Sequence, residues 1–245
     1  MVKKLLAFAA VAVLAGCATP DAQQTALVNF EEANRVFTKG KWDGAEKLYH
    51  KIMDEAPDSP YRLHALLGVA DSYYMQEDFI SSAPMYARYV ELYPMDERAQ
   101  HALFYEGMSY FHDIVAVKKD QGSAKKALDR FSLFVEKYPN HPATPFAREK
   151  IVFLDDRLAE KLFTIAEYYY STAGYGPCIN RVDELLEKYP KTRFRGEALM
   201  IKARSYAAEE AYEKAKTVFL QAAFEFVGTE VGRDAAAELK ELDKR

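Results

Sequence analysis

Proline recurs in this chain behind the same set of residues, and this repetition restricts the fold more than any other feature. Four segments end in Glu55-Ala56-Pro57, Leu92-Tyr93-Pro94, Lys137-Tyr138-Pro139 and Lys188-Tyr189-Pro190. Twelve residues before each proline stands a small side chain: Ala45, Ser82, Ala127 and Cys178. Eight before it stand Tyr49, Tyr86, Phe131 and Val182, and five before it Ile52, Tyr89, Phe134 and Leu185. Spacings of four and three put these residues on one face of an amphipathic helix, which the proline then terminates. A preceding helix is marked by a small residue twenty-four positions before the proline, Ala33 and Ala70, with Phe37 and Tyr74 four residues later. Small side chains at a crossing and bulky ones beside it are what two closely packed antiparallel helices require.

The same marks return at Ala166, Tyr170 and Cys178, and again at Ala203, Ala215, Phe219 and Ala222, where Val227 replaces the proline. The chain therefore contains five units. Their first-helix markers, Ala33, Ala70, Gly107, Ala166 and Ala203, are separated by 37, 37, 59 and 37 residues. The excess in the third interval falls in two places, a polar stretch at 117–123 and the segment before Ala166. The latter, from about 145 to 170, has no breaker and reads as one long connecting helix. From Thr229 onward, Val231, Ala235 and Leu239 on one side suit a capping helix. A lone helix pair cannot bury its apolar face, so the units must stack. The expected fold is all-α, a superhelix (α-solenoid) of about five helix pairs with a concave groove and a C-terminal capping helix.

Upstream of the repeats, Met1-Val2-Lys3-Lys4, an apolar run from Leu5 to Leu14 and Ala15-Gly16 follow the order of an export signal, to be removed as residues 1–16. An apolar run of about 10 residues rises only ~15 Å as a helix, short of the ~20 residues a span needs. Leu14-Ala15-Gly16-Cys17 looks like a lipobox, in which the Cys17 thiol is lipidated and becomes the new N-terminus. Ordinary cleavage after Ala18 is the alternative, and would discard Cys17. Each buried acyl methylene contributes about 0.8 kcal/mol, so two or three chains anchor durably. Ala18 stands where an aspartate would look like an inner-membrane retention signal, which favours the outer membrane. Residues 17–26 are expected to form the lipidated N-terminus and a short tether.

With 33 Lys and Arg against 37 Asp and Glu, a net charge of −4, no basic surplus calls for nucleic acid. His50, His64, His101, His112 and His141 are scattered, without a His-Glu-x-x-His or Cys-x-x-Cys motif, so no metal or other cofactor is expected. No phosphate loop or nucleophile elbow is present, and the chain is not expected to be an enzyme. Asp155 and Asp156 are expected on a solvated helix face, and Cys178, in a small-residue register position, in a helix crossing.

Helix pairs with these marks resemble tetratricopeptide repeats, although 37 residues per unit exceeds the usual ~34. Four segments carry a more specific resemblance: Ile151-Val152-Phe153-Leu154-Asp155-Asp156-Arg157-Leu158-Ala159, Ala166-Glu167-Tyr168-Tyr169, Asn180-Arg181-Val182 and Tyr189-Pro190-Lys191-Thr192. They are similar to the central and C-terminal part of the BamD family, the lipoproteins of the outer-membrane β-barrel assembly (BAM) machine. One departure is the insertion before Ala127, which is shorter than in longer-looped relatives. The resemblance implies a non-catalytic scaffold, lipid-anchored at the periplasmic face of the outer membrane. It implies that N-terminal repeats 1–3, at 27–144, receive unfolded outer-membrane protein precursors. It also implies that the C-terminal half, 145–245, with the long helix, repeats 4–5 and the cap, docks a BamA-like barrel through its POTRA domains, and other BAM lipoproteins.

Within the repeats, positions beside the packing marks of each first helix are candidates for the client-peptide groove. They are Asn34, Phe37, Tyr61, His64, Asp71, Tyr74, His101 and Phe111. Polar groups beside aromatics suit an extended peptide. The rings either face a ligand or pack between repeats. Arg181, beside the packing residue Val182, either meets a carboxylate of the BamA-like partner or pairs with Glu184 or Glu187 of its own helix. A tetratricopeptide lipoprotein serving secretin or pilus assembly, or regulating a peptidoglycan synthase, is the competing reading.

Overall fold

In the computed structural model the described residues are 20–116 and 121–244. They form eleven α-helices and no strand. Contacts divide the helices between two units, one ending at Asp96 and the other beginning at Glu97. The first unit holds α1 (Pro20–Thr38), α2 (Trp42–Glu55), α3 (Arg62–Met75) and α4 (Phe79–Leu92). The second holds α5 (Ala99–Ala116), α6 (Gln121–Lys137), α7 (Thr144–Ser171), α8 (Tyr175–Lys188), α9 (Arg195–Ala208), α10 (Tyr212–Glu225) and α11 (Glu230–Leu242). Within each unit every helix packs on the next, as tetratricopeptide-type helix pairs do.

The repeat register is the core. All five first-helix markers and the small residues of the second helices are buried. Of the large register residues, Tyr86, Tyr89, Phe131, Phe134 and Phe219 are among the largest fully buried side chains. Burying a side chain of this kind stabilises by about 1.5–3 kcal/mol relative to leaving it in water. The prolines act as the spacing predicts: α2, α4, α6 and α8 stop two residues before Pro57, Pro94, Pro139 and Pro190. The residue ahead of the proline leaves the helical region, with φ of −135° at Ala56, −129° at Tyr93 and −129° at Tyr189.

The turns inside the pairs repeat as well. Gly40, Glu77, Ala173 and Glu210 all have positive φ, between 58° and 72°. The following N–H of each closes a bond to the carbonyl five residues back: Lys41 to Val36, Asp78 to Tyr73, Gly174 to Tyr169 and Ala211 to Tyr206. This is the Schellman ending of a helix, and only the first repeat supplies the glycine that adopts it without steric cost.

Fourteen of the extra residues in the third interval are absorbed by α7, which is 28 residues long. The part of the insertion at 117–120 lies outside the described residues, as do the export signal and Cys17. The sequence expects a tether as far as residue 26. Residues 20–26 belong instead to α1, with Ala26 buried in the cluster that holds Ile52 and Ala56. At the other end α11 is capped by the Thr229 hydroxyl, which accepts from the Gly232 N–H at 3.2 Å, and Ala235 and Leu242 close the core.

Candidate binding surfaces

In the first unit the polar and aromatic candidates form two sets that repeat at 37-residue spacing. The phenol of Tyr49 on α2 donates to Asn34 Oδ1 on α1 at 2.6 Å, and the phenol of Tyr86 on α4 donates to Asp71 Oδ1 on α3 at 2.6 Å. Burial holds the Tyr49 phenol in its donating form and pushes its pKa up to about 12. Asn34 and Asp71, singled out as groove residues, thus also brace the second helix of their own pair. The sequence hides this because tyrosine at the eighth position before the proline reads as a purely apolar mark.

The aromatic candidates of this unit are half-buried. Phe37 and Tyr61 pack against the core cluster, Tyr61 stacks on Phe30 with ring centroids 5.4 Å apart, and His64 lies 5.5 Å from the same ring. Tyr74 meets Phe79 and Tyr86 edge-on at 5.4 and 6.4 Å.

In the second unit His101 lies 4.5 Å from Tyr105. Phe111 on α5 is surrounded by residues the sequence reading passed over. The Phe153 ring of α7 lies 5.5 Å from it, and Lys150 Nζ sits 4.8 Å from its centroid and 4.5 Å from that of Phe146. Phe146 and Phe153 are 40% and 47% exposed, unusual for phenylalanine outside a contact surface. They were missed because α7 carries them upstream of the Ala166 marker, where no repeat register applies. The usable signal was the i, i+4, i+7 spacing of Phe146, Lys150 and Phe153.

Arg181 projects from α8 and is exposed. Its guanidinium bonds Glu184 Oε2 at 2.5 Å, while Lys188 takes Glu184 Oε1 at 2.6 Å. Hydrogen bonds from Lys188 and Arg181 hold the Glu184 carboxyl below its usual range. Of the two arrangements open to Arg181 in the sequence, the pair within its own helix is formed. Next to it, α6, α7 and α8 enclose an open cavity of about 490 Å³ with Leu128, Leu158 and Leu162 on its floor and Lys125, Lys161 and Lys188 around it.

Two acids are held by the fold. Asp156, expected on a solvated face, is half-buried and engaged: its Oδ1 accepts from the Thr192 hydroxyl and the Arg193 N–H, both at 2.8 Å, and ties α7 to the turn before α9. Glu106 on α5 is buried with Oε2 lacking a hydrogen bond, and Arg130 Nη1 stands 3.7 Å from Oε1. Desolvation outweighs the attraction of Arg130 and raises its pKa to about 7. Cys178 is fully buried in its helix crossing, where desolvation raises its pKa. Among the described residues no group of His, Cys, Asp or Glu could hold a metal ion, and no helix is long and apolar enough to cross a membrane.

Residues 21–220 match the model of the YfiO family, described as outer membrane lipoprotein. The chain belongs to this family. Among its relatives, the outer membrane protein assembly factor BamD of Caulobacter vibrioides is 28% identical over 178 residues, which are 73% of this chain and 58% of that one. The protein of the same name from Vibrio cholerae is 25% identical over 212 residues, covering 80% of this chain and 87% of the relative. Among solved structures, a tetratricopeptide repeat protein from Parabacteroides merdae is similar over 90% of this chain and 74% of its own, at 16% identity and a TM-score of 0.40. The TPR2AB domain of yeast Sti1, solved with pHSP90, covers 89% of this chain and 97% of its own at 14% identity and a TM-score of 0.43. Family membership supports an outer-membrane location for the all-α repeat chain.

Proposed function

We propose that this protein is a non-catalytic scaffold of the outer-membrane β-barrel assembly machine, lipid-anchored through Cys17 at the periplasmic face. The family match across 21–220 carries this reading, because the relatives it brings with it are named outer membrane protein assembly factors. Unfolded barrel precursors bind the N-terminal repeats as extended segments. In the first unit the half-buried rings of Phe37, Tyr61 and Tyr74 with the polar groups of Asn34, His64 and Asp71, and in the second unit the ring of Phe111 with His101, each provide the mixture of apolar and polar contacts that such a chain needs. A BamA-like barrel docks its POTRA domain on the C-terminal repeats near Arg181, where a partner carboxylate exchanges with Glu184. Other BAM lipoproteins share that half.

The test is a crosslinked, detergent-solubilised pull-down of the lipidated protein from its own membranes, read by mass spectrometry. Recovery of a POTRA-bearing barrel together with barrel precursors is the expected outcome. Recovery of a secretin or a peptidoglycan synthase in their place overturns the function while leaving the family and the fold intact. Replacement of Phe37 and Tyr74 by alanine is expected to lower precursor capture several-fold with helical content unchanged, and unchanged capture would remove those two rings from the groove.

A further inference from the structure

Lys150 occupies an unusual position. Its ammonium lies between the rings of Phe111 and Phe146, and no described carboxylate pairs with it. Ring faces attract a cation without using up its N–H donors, so the group keeps the capacity to bind an anion. Phe153 extends the apolar surface on one side against Phe111, and Phe104 supports Phe146 from below at 6.1 Å. A carboxylate arriving here would be shielded from water by exposed aromatic carbon, which strengthens its attraction to the ammonium.

The residues also have a spacing. Phe146, Lys150 and Phe153 rise along one face of α7 in steps of about 6 and 4.5 Å. Side chains on one face of an extended strand are spaced ~6.6 Å apart, close to the first of these steps and longer than the second. We propose that this platform binds an extended peptide segment that presents on one face an apolar side chain, then an aspartate or glutamate, then a second apolar side chain, with the carboxylate on Lys150. The proposal rests on the reading that unfolded precursors are the clients, and it gives that reading a chemical preference: apolar-acid-apolar at alternate positions.

The probe is a pair of peptides with the core Phe-Ser-Glu-Ser-Phe or Phe-Ser-Gln-Ser-Phe, both ends blocked, so that the glutamate is the sole anion. They are titrated by fluorescence anisotropy against the full chain and against its Lys150→Met variant. The glutamate peptide is expected to bind about tenfold more tightly, and Lys150→Met to abolish the difference. Phe153→Ala is expected to weaken both peptides alike. Equal affinity for the two peptides, or a preference that survives Lys150→Met, overturns the proposal. So does a free C-terminal carboxylate that replaces the glutamate without loss, because the anion would then come from the chain end. Capture of an unfolded barrel precursor is measured in parallel. Capture that is insensitive to Lys150→Met discards the platform and leaves the function standing, whereas no capture by any variant, with the peptide preference intact, discards the function.

Discussion

Glu106 shows how one buried side chain writes a pH dependence into the whole fold. Its folded-state pKa is about 7, above the ordinary carboxylate value of about 4.5, so the folded protein holds this proton where the unfolded chain has lost it. Stability is therefore highest below the unfolded pKa, falls as pH rises from about 4.5 to about 7, and levels off above it. Each pKa unit corresponds to ~1.4 kcal/mol, which puts the total loss at about 3–4 kcal/mol. Glu106→Gln is expected to flatten the denaturant midpoint between pH 5 and 8 relative to the parent, and a parallel decline in both proteins would assign the dependence to other groups. Ala173 tests a different local property. A non-glycine residue at φ 58° carries a steric penalty of about 1 kcal/mol. Ala173→Gly is expected to recover part of it, raising stability by roughly 0.5 kcal/mol in urea unfolding. Sequence periodicity located this turn but not its strain, because alanine is compatible with the helix on either side.

At the scale of helices, the close pairing of α2 and α3 depends on one absent methyl group. A Cβ on Gly68 would stand 2.6 Å from the ring of Tyr49, the residue whose phenol also holds Asn34. Gly68→Ala is expected to push the ring off α3 and cost about 1–3 kcal/mol, the range for overpacking a core. Thermal unfolding of the variant checks this, and a change within ~0.5 kcal/mol would mean that the ring has room to move. The long helix α7 was legible from the lack of breakers between 145 and 170, and its observed bounds lie within a residue of that reading. Its aromatic face was not. Repeat comparison finds residues that recur, and Phe146, Lys150 and Phe153 do not recur.

For the whole molecule, the question is which contacts are internal and which await a partner. Arg181 is already satisfied by Glu184, so an incoming carboxylate has to displace an exposed i,i+3 pair. Such pairs contribute only about 0.2–0.5 kcal/mol, and displacement is easy. Arg181→Glu should leave the fold intact, set two acids against each other on α8, and release the POTRA-bearing barrel proposed to dock there from co-purification. Continued co-purification would overturn the proposed role of Arg181.

What the sequence determined by itself was the all-α class, the five-unit register and the helix ends at the prolines. Each of these depends on residues close along the chain: a 3.6-residue period, a missing N–H, a small residue at a crossing. What only the tertiary structure decided was which polar and aromatic groups are engaged at home. Tyr49 bonds Asn34 across 15 residues, Asp156 reaches Thr192 across 36, and Lys150 meets Phe111 from two helices away. A side chain's free valence depends on neighbours brought to it by packing, and no local pattern in the chain records who those neighbours are.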